Sequence, residues 1–329
     1  MTFETFVKNV TEDIKNYLPE EFADAEVKVF PYEKLNESYT GMIVIQPGKK
    51  TSPIISLDFH YEKLPENVCS KEADEYKNEV KNIASLIVEH SNYPEVDANF
   101  LLDYERVKDK LFIRVSSAIR NKDLLKKVPH FLMEDLAITY HIFVRKSEDG
   151  ISSSPVTYKM LKGYGVTEEQ LKEDALINAP KNFPSSLLTM ASVLREQYAQ
   201  AISVERNISM EEANKIAETF INNTPAEGKA LFDSQFIVTN TQQLNGASVL
   251  FYPGVLEQLS EKLGSFYALP SSVHEFILYA FPEKTDENSI SLSEMVRKIN
   301  ATNVVENNDI LSDHAYFYNA ETKTFSSAK

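Results

Sequence analysis

The sequence predicts an α+β fold, with mixed, largely antiparallel sheets and packed helices in two lobes. Three observations carry this. Short strand-like runs follow one another with only turn residues between them, which favours antiparallel pairing. Amphipathic helices come in groups rather than alternating strictly with strands, unlike a parallel α/β chain. The length of 329 residues exceeds one ordinary core at roughly 100–200 residues per domain. The lobes are expected at 1–120 and 121–329, with the softest boundary near 118–126, where Ser, Asn and Lys collect.

Taken in order, Phe3, Phe6, Val7, Val10, Ile14 and Leu18 recur at helical spacing and predict an amphipathic helix over 2–18. Strands are expected at Glu26–Phe30, Gly41–Gln46 and Pro53–Phe59, separated by Asn36-Glu37-Ser38 and Pro47-Gly48. A charged helix at about 70–90 carries Val80, Ile83, Leu86 and Ile87 on one face, and a second at about 97–109 precedes a strand at Leu111–Ser117. Asn121–Val128 reads as a short helix ended by Pro129. The apolar run in Glu134–Arg145 reads as a central strand.

Two helices follow, and the second has a clear start signal: Thr167 and Gln170 at capping-box spacing. Ser209 and Glu212 repeat that spacing before a helix at about 210–222, within a mostly helical segment at about 180–232. Beyond it come a strand (Gln235–Thr239), a helix (about 254–263), strands at Phe266–Leu269 and Glu275–Phe281, a helix (about 291–299) and a strand at Ala315–Asn319. The tail from Thr322 is expected to fray.

Composition excludes several functions. The formal charge is -15, from 34 basic and 49 acidic residues. Such a surface repels phosphate backbones, so neither nucleic acid nor an anionic membrane is an expected partner. No window approaches the roughly 18 apolar residues of a membrane span. The first residues lack the basic and apolar regions of a signal peptide. Cys69 is the sole cysteine, which rules out an internal disulfide and any cysteine-based metal site. A cytoplasmic location is expected. Walker and dinucleotide fingerprints are absent, and no cofactor is expected. Gly163-Tyr164-Gly165 between two helices resembles a helix-turn-helix, but the second helix opens Glu168-Glu169, a charge that DNA would repel.

The densest chemistry lies in Leu269-Pro270-Ser271-Ser272-Val273-His274-Glu275. Ser271 or Ser272 is a candidate nucleophile, His274 its base and Glu275 a neighbouring acid. A triad also needs an orienting carboxylate and an oxyanion hole, and no Gly-x-Ser-x-Gly elbow supplies them. The competing reading is a turn whose hydroxyls satisfy backbone groups. His274-Glu275 has Leu278 where a metalloprotease needs its second histidine. Asp58, in Leu57-Asp58-Phe59-His60-Tyr61, is the candidate metal ligand, set against the plainer role of capping a turn. Glu26-Val27-Lys28 has the Glu-x-Lys spacing of nuclease cores but lacks the preceding acid. His141, inside an apolar run, reads as a core histidine.

Three segments together are familiar: Val128-Pro129-His130-Phe131-Leu132-Met133-Glu134-Asp135-Leu136-Ala137, the capped stretch from Gly165 to Asn178, and Gly246-Ala247 leading to the Leu269–Glu275 packet. Over nearly the whole chain this resembles domain-of-unknown-function family 5688. In element order it is also similar to the YtpQ-like family, with 196–225 fitting least and reading as an insertion. The resemblance implies a protein of Gram-positive gut bacteria or their mobile elements, and adds no catalytic residue. The acidity, the many aromatic residues and the missing catalytic signatures make the expected function a non-enzymatic cytoplasmic protein-interaction or accessory role, with a protein partner. The alternative is a hydrolase-like enzyme using Ser271, Ser272, His274 and Glu275.

Overall fold

The computed structural model describes residues 1–34, 36–49, 52–91, 98–147, 150–281, 283–302 and 304–328. The chain divides into two compact units, Met1–Ala98 and Asn99–Lys329. Among the described residues, no helix is long and apolar enough to cross a membrane.

The first unit opens with α1 (Phe3–Asp13), whose N-terminus is capped by Thr2 accepting from the Thr5 N–H. A tighter turn through Tyr17 continues it, so the expected helix is shorter at its end. β1 (Glu26–Lys34) and β2 (Glu37–Ile45) form an antiparallel hairpin, and β3 (Ile54–Ser56) adds to β2. The expected strand through Phe59 stops at Ser56, and Leu57–Glu62 is helical (α2). Its Leu57 is fully buried while Phe59 is half exposed, a facing that suits a helix and not a continued strand. α3 (Asp74–Ser91) lays Tyr76, Val80, Ile83 and Ile87 against Phe6, Val10, Ile14 and Met42. Within this core His60 Nδ1 meets Glu79 Oε1 at 2.5 Å, and Asn82 donates to the other carboxylate oxygen.

In the second unit the expected helix at 97–109 is instead a set of short turns, including α4 (Tyr104–Val107); position 97 lies outside the described residues. Then come β4 (Leu111–Ser117), α5 (Lys122–Leu125), β5 (His130–Met133), β6 (Leu136–Ser147) and β7 (Gly150–Pro155). β6 is the central strand that its apolar run predicts. β4 pairs with one part of it, and β5 and β7 pair with successive stretches. That pairing makes Leu111–Ser117 part of the second unit.

α6 (Tyr158–Tyr164) ends at Gly165, whose φ of 69° is left-handed and free of penalty only for glycine. α7 (Glu168–Asn182) is capped by Thr167, but Gln170 turns its side chain to Asp174 rather than back to the cap, leaving half of the expected box. β8 (Ser185–Thr189) leads into α8 (Met190–Arg206), α9 (Met210–Asn222) and α10 (Ala226–Asp233). The Ser209–Glu212 box is complete in both directions.

β9 (Gln235–Asn240), α11 (Val255–Leu263), β10 (Phe266–Ser272), β11 (Glu275–Ala280), α12 (Asp286–Asn300), β12 (Tyr316–Asn319) and β13 (Thr324–Ser327) complete the chain. A six-stranded antiparallel sheet runs β13-β12-β10-β11-β9-β8. The tail is thus not frayed up to Ala328: β13 pairs with β12, and Phe325 stacks on Tyr316. Residue 329 lies outside the described residues.

Both faces of this sheet are covered, which is why Phe266–Leu269 of β10 reads as an unbroken apolar run. Phe266, Ala268, Phe276 and Tyr316 enter the main core. Tyr267, Leu269 and Phe317 alternate with them and meet Leu292 and Val296 of α12.

Candidate functional site

The packet Ser271–Glu275 is the tip of the β10–β11 hairpin. Both serines belong to β10, and the ladder shifts register between Pro270 and Ser272. Only Val273 and His274 separate the strands, so Ser272 and His274 do not share a strand face. Ser272, 9% exposed, accepts the His274 backbone N–H at 3.0 Å, and Ser271 donates to Glu275 Oε1 at 2.9 Å. The His274 ring is held elsewhere. Nδ1 accepts the Asn245 backbone N–H at 3.0 Å, which assigns the proton to Nε2. Nε2 in turn lies 3.5 Å from Asp309 Oδ2. Neither ring nitrogen meets a serine hydroxyl, so the geometry gives no nucleophile–base pair at this tip.

A second ring of contacts fixes the tip. Thr239 Oγ1 donates to the His274 carbonyl at 2.8 Å. A side chain on Gly246 would fall 2.6 Å from Asn240 N and 2.7 Å from His274 O, so only glycine fits between them. The pairing of Gly246-Ala247 with the packet in the sequence is therefore a packing relation. Asn245 accepts from Arg114. Burial lowers the Arg114 guanidinium to about 10, opposed by Asp309, and its Nε has no hydrogen-bond partner among the described residues. Close by, burial holds the His141 imidazole well below its ordinary range, with Arg114 adding to the effect. Its Nε2 meets Thr139 Oγ1 at 3.0 Å, and its Nδ1 finds no partner among the described residues.

Asp58 belongs to the first unit, in the first turn of α2, where it accepts the Thr40 N–H at 2.6 Å. Among the described residues no group of three or more His, Cys, Asp or Glu side chains is arranged to hold a metal. Glu26 and Lys28 pair with each other at 2.9 Å on an exposed strand face.

The second unit also contains a cavity of about 480 Å³ that none of the packet residues lines. Its polar wall comes from the end of β4 (Ser117), the turn after it (Arg120), the β5–β6 turn (Asp135) and the segment before β12 (Ser312, Asp313, His314). α12 crosses it with Ser289, Ile290, Ser293 and Arg297, a stripe on successive turns. Ile119 and Ala328 complete an apolar side. Glu134, at φ 57°, turns the chain so that Asp135 faces this wall.

Asp135 is the hub. Tyr316 donates to Oδ1 at 2.6 Å, and Ser312 donates to Oδ2 at 3.2 Å. His314 Nε2 lies 3.4 Å from Oδ1, while its Nδ1 is 2.8 Å from Ser312 Oγ. Burial and this carboxylate together push the Tyr316 hydroxyl far above its usual range. The three residue types match a hydrolase triad, but the arrangement differs. The serine proton is directed to the carboxylate, and Asp135 touches both partners instead of orienting the imidazole from its far side. The cluster ties the β5–β6 turn to the start of β12.

Sequence reasoning meets Asp135 only within the familiar Val128–Ala137 segment, and it assigns no role to Ser312, His314, Arg120 or Arg297. One signal was available: Ser312 and His314 are two apart in an extended segment and share a face.

The chain matches, over residues 3–320, the family described as "Family of unknown function (DUF5688)", and it belongs to that family. No curated protein and no solved structure matches it.

Proposed function

We propose that this protein is a non-enzymatic binding protein whose second unit holds a ligand or partner group in the cavity beside Asp135. The observation that carries the reading is the contrast between the two polar clusters. At the hairpin tip the hydroxyls and imidazole are engaged by nearby protein groups. Around the cavity the carboxylates are engaged while two arginines border open space. A concave, largely apolar pocket with a few convergent polar groups is the usual form of a ligand site, at roughly 300–1,000 Å³. At the hairpin tip the hydrolase alternative lacks a serine hydroxyl bonded to an available base. We further propose a cytoplasmic accessory role in a bacterium or its mobile element, with a protein as partner, and a kinship in element order with the YtpQ-like family.

The test is a ligand-observed NMR fragment screen on the full chain and on Ile290→Trp. Ile290 is 59% exposed and lines the cavity, so the larger ring fills space without disturbing the core. Fragments that bind the native chain should be lost with the variant. Hits indifferent to Ile290→Trp would remove the cavity from the reading. Covalent capture of Ser271, Ser272 or Ser312 by a fluorophosphonate, abolished by changing His274 or His314, would replace it with the enzyme.

A further inference from the structure

We infer that the cavity takes a small organic monoanion, a carboxylate on an apolar body, with Arg120 and Arg297 receiving the charge. This rests on the binding reading above and names its ligand class.

The argument is an account of donors and acceptors. Both Asp135 oxygens accept from side chains. Asp313 accepts from Asn300 at 2.8 Å and has Arg120 at 3.8 Å. On the donor side, among the described residues Arg297 uses only Nε, in a 3.4 Å bond to the Ser293 carbonyl one turn back on α12. Arg120 holds a single long, half-exposed ion pair. Ser293 Oγ accepts the Ala315 N–H, so its own proton remains to donate, and Ser117 Oγ likewise accepts from the Arg120 N–H. Asp135 is thus engaged on both oxygens by its own neighbours, while most guanidinium N–H groups of Arg120 and Arg297 meet no protein acceptor at hydrogen-bond distance among the described residues. Such a surface selects a ligand rich in acceptors, and a guanidinium pairs with a carboxylate through two parallel bonds.

Ile119 and Ile290 give the rest of the ligand an apolar surface. The charge of that ligand is limited from two sides. Asp135 and Asp313 stand in the same wall, and the chain as a whole carries -15. The arginines offset the repulsion on a first charge, and a second meets it with no further Lys or Arg among the lining residues.

Naphthalene-2-carboxylate and its neutral counterpart naphthalene-2-methanol are the probes, titrated into the full chain by calorimetry and ligand-observed NMR. The carboxylate should bind about tenfold or more tightly than the alcohol. Arg297→Gln and Arg120→Gln should each remove most of that preference, Arg297→Lys should retain part of it, and Ile290→Trp should abolish binding of both probes. Equal binding of the two probes, or a preference unmoved by either glutamine, overturns the anion assignment and leaves the binding reading standing. Carboxylate binding that survives Ile290→Trp also overturns it, because the site then lies elsewhere. Failure of both probes to bind at millimolar concentration removes the inference and the binding reading together.

Discussion

Replacing Gly246 with alanine tests whether the hairpin tip is a packed structural joint. The new methyl would stand 2.1 Å from Thr239 Oγ1, 2.6 Å from Asn240 N and 2.7 Å from His274 O. Two of these atoms are backbone and cannot rotate aside. Overpacking of this kind costs about 1–3 kcal/mol. The same methyl displaces the Thr239–His274 hydrogen bond of 2.8 Å, and leaving a buried partner unsatisfied adds about 1–3 kcal/mol. The expected total is about 2–6 kcal/mol, read as a lower urea midpoint by circular dichroism. Asn245 precedes the glycine and donates to the His274 ring, so the His274 NMR signals should shift too. Adding Thr239→Ala removes the 2.1 Å contact but neither backbone contact, and should recover less than half of the loss. A cost below about 1 kcal/mol, or full rescue by Thr239→Ala, would refute the reasoning.

His141 should make the fold acid-sensitive. Its folded imidazole is held well below 6.5 by burial, so below pH 6.5 the unfolded chain binds a proton that the folded chain does not. Stability attributable to His141 is complete above that pH and falls as pH drops, by about 1.4 kcal/mol between roughly pH 7.5 and pH 5.5. His141→Gln should flatten that part of a pH–stability profile, and an unchanged slope contradicts it. At the hairpin tip, Ser272→Ala should cost about 0.5–2 kcal/mol, because its hydroxyl caps the His274 N–H. Ser271→Ala, which loses only a partner side chain, should cost less, and the reverse order in thermal unfolding would count against this assignment. Cys69 is exposed, and Cys69→Ser should move stability by no more than about 0.5 kcal/mol.

The fold class and the long elements were legible because their signals are local. The apolar run of β6 and the Ser209–Glu212 box act within a few residues, and the structure keeps both. The missed strands, β5, β7, β8 and β13, are four to six residues long. Gly150–Pro155 and Thr324–Ser327 are rich in serine, with little intrinsic drive to extend. They become strands because β6 and β12 offer an open edge, and β-propensity is largely a property of such surroundings. The stretch after Pro53 failed for another reason. Ile54–Phe59 has enough apolar residues for either element, and only the burial of Leu57 and the exposure of Phe59 choose the helix.

The candidate site was legible in inverse proportion to its sequence spread, and there is a physical reason. A tight turn leaves backbone donors and acceptors with no ladder partner, and the nearest remedy is a hydroxyl or carboxylate one to four residues away. Dense local packets of Ser, His and Glu are therefore what hairpin tips require. Ser272 on the His274 N–H and Ser271 on Glu275 are such remedies. A ligand site has the opposite need. Groups converging on one small volume must come from several elements, since one short segment cannot surround it. Asp135 lies 177 residues from Ser312 and 181 from Tyr316, its two donors, and Arg297 reaches the same cavity from α12. Separation of that size leaves no trace in composition or periodicity. The packet that stands out in the sequence is thus explained by the hairpin it closes, whereas the cavity's guanidinium groups make, among the described residues, only the Arg120–Asp313 pair at 3.8 Å and the Arg297–Ser293 bond at 3.4 Å.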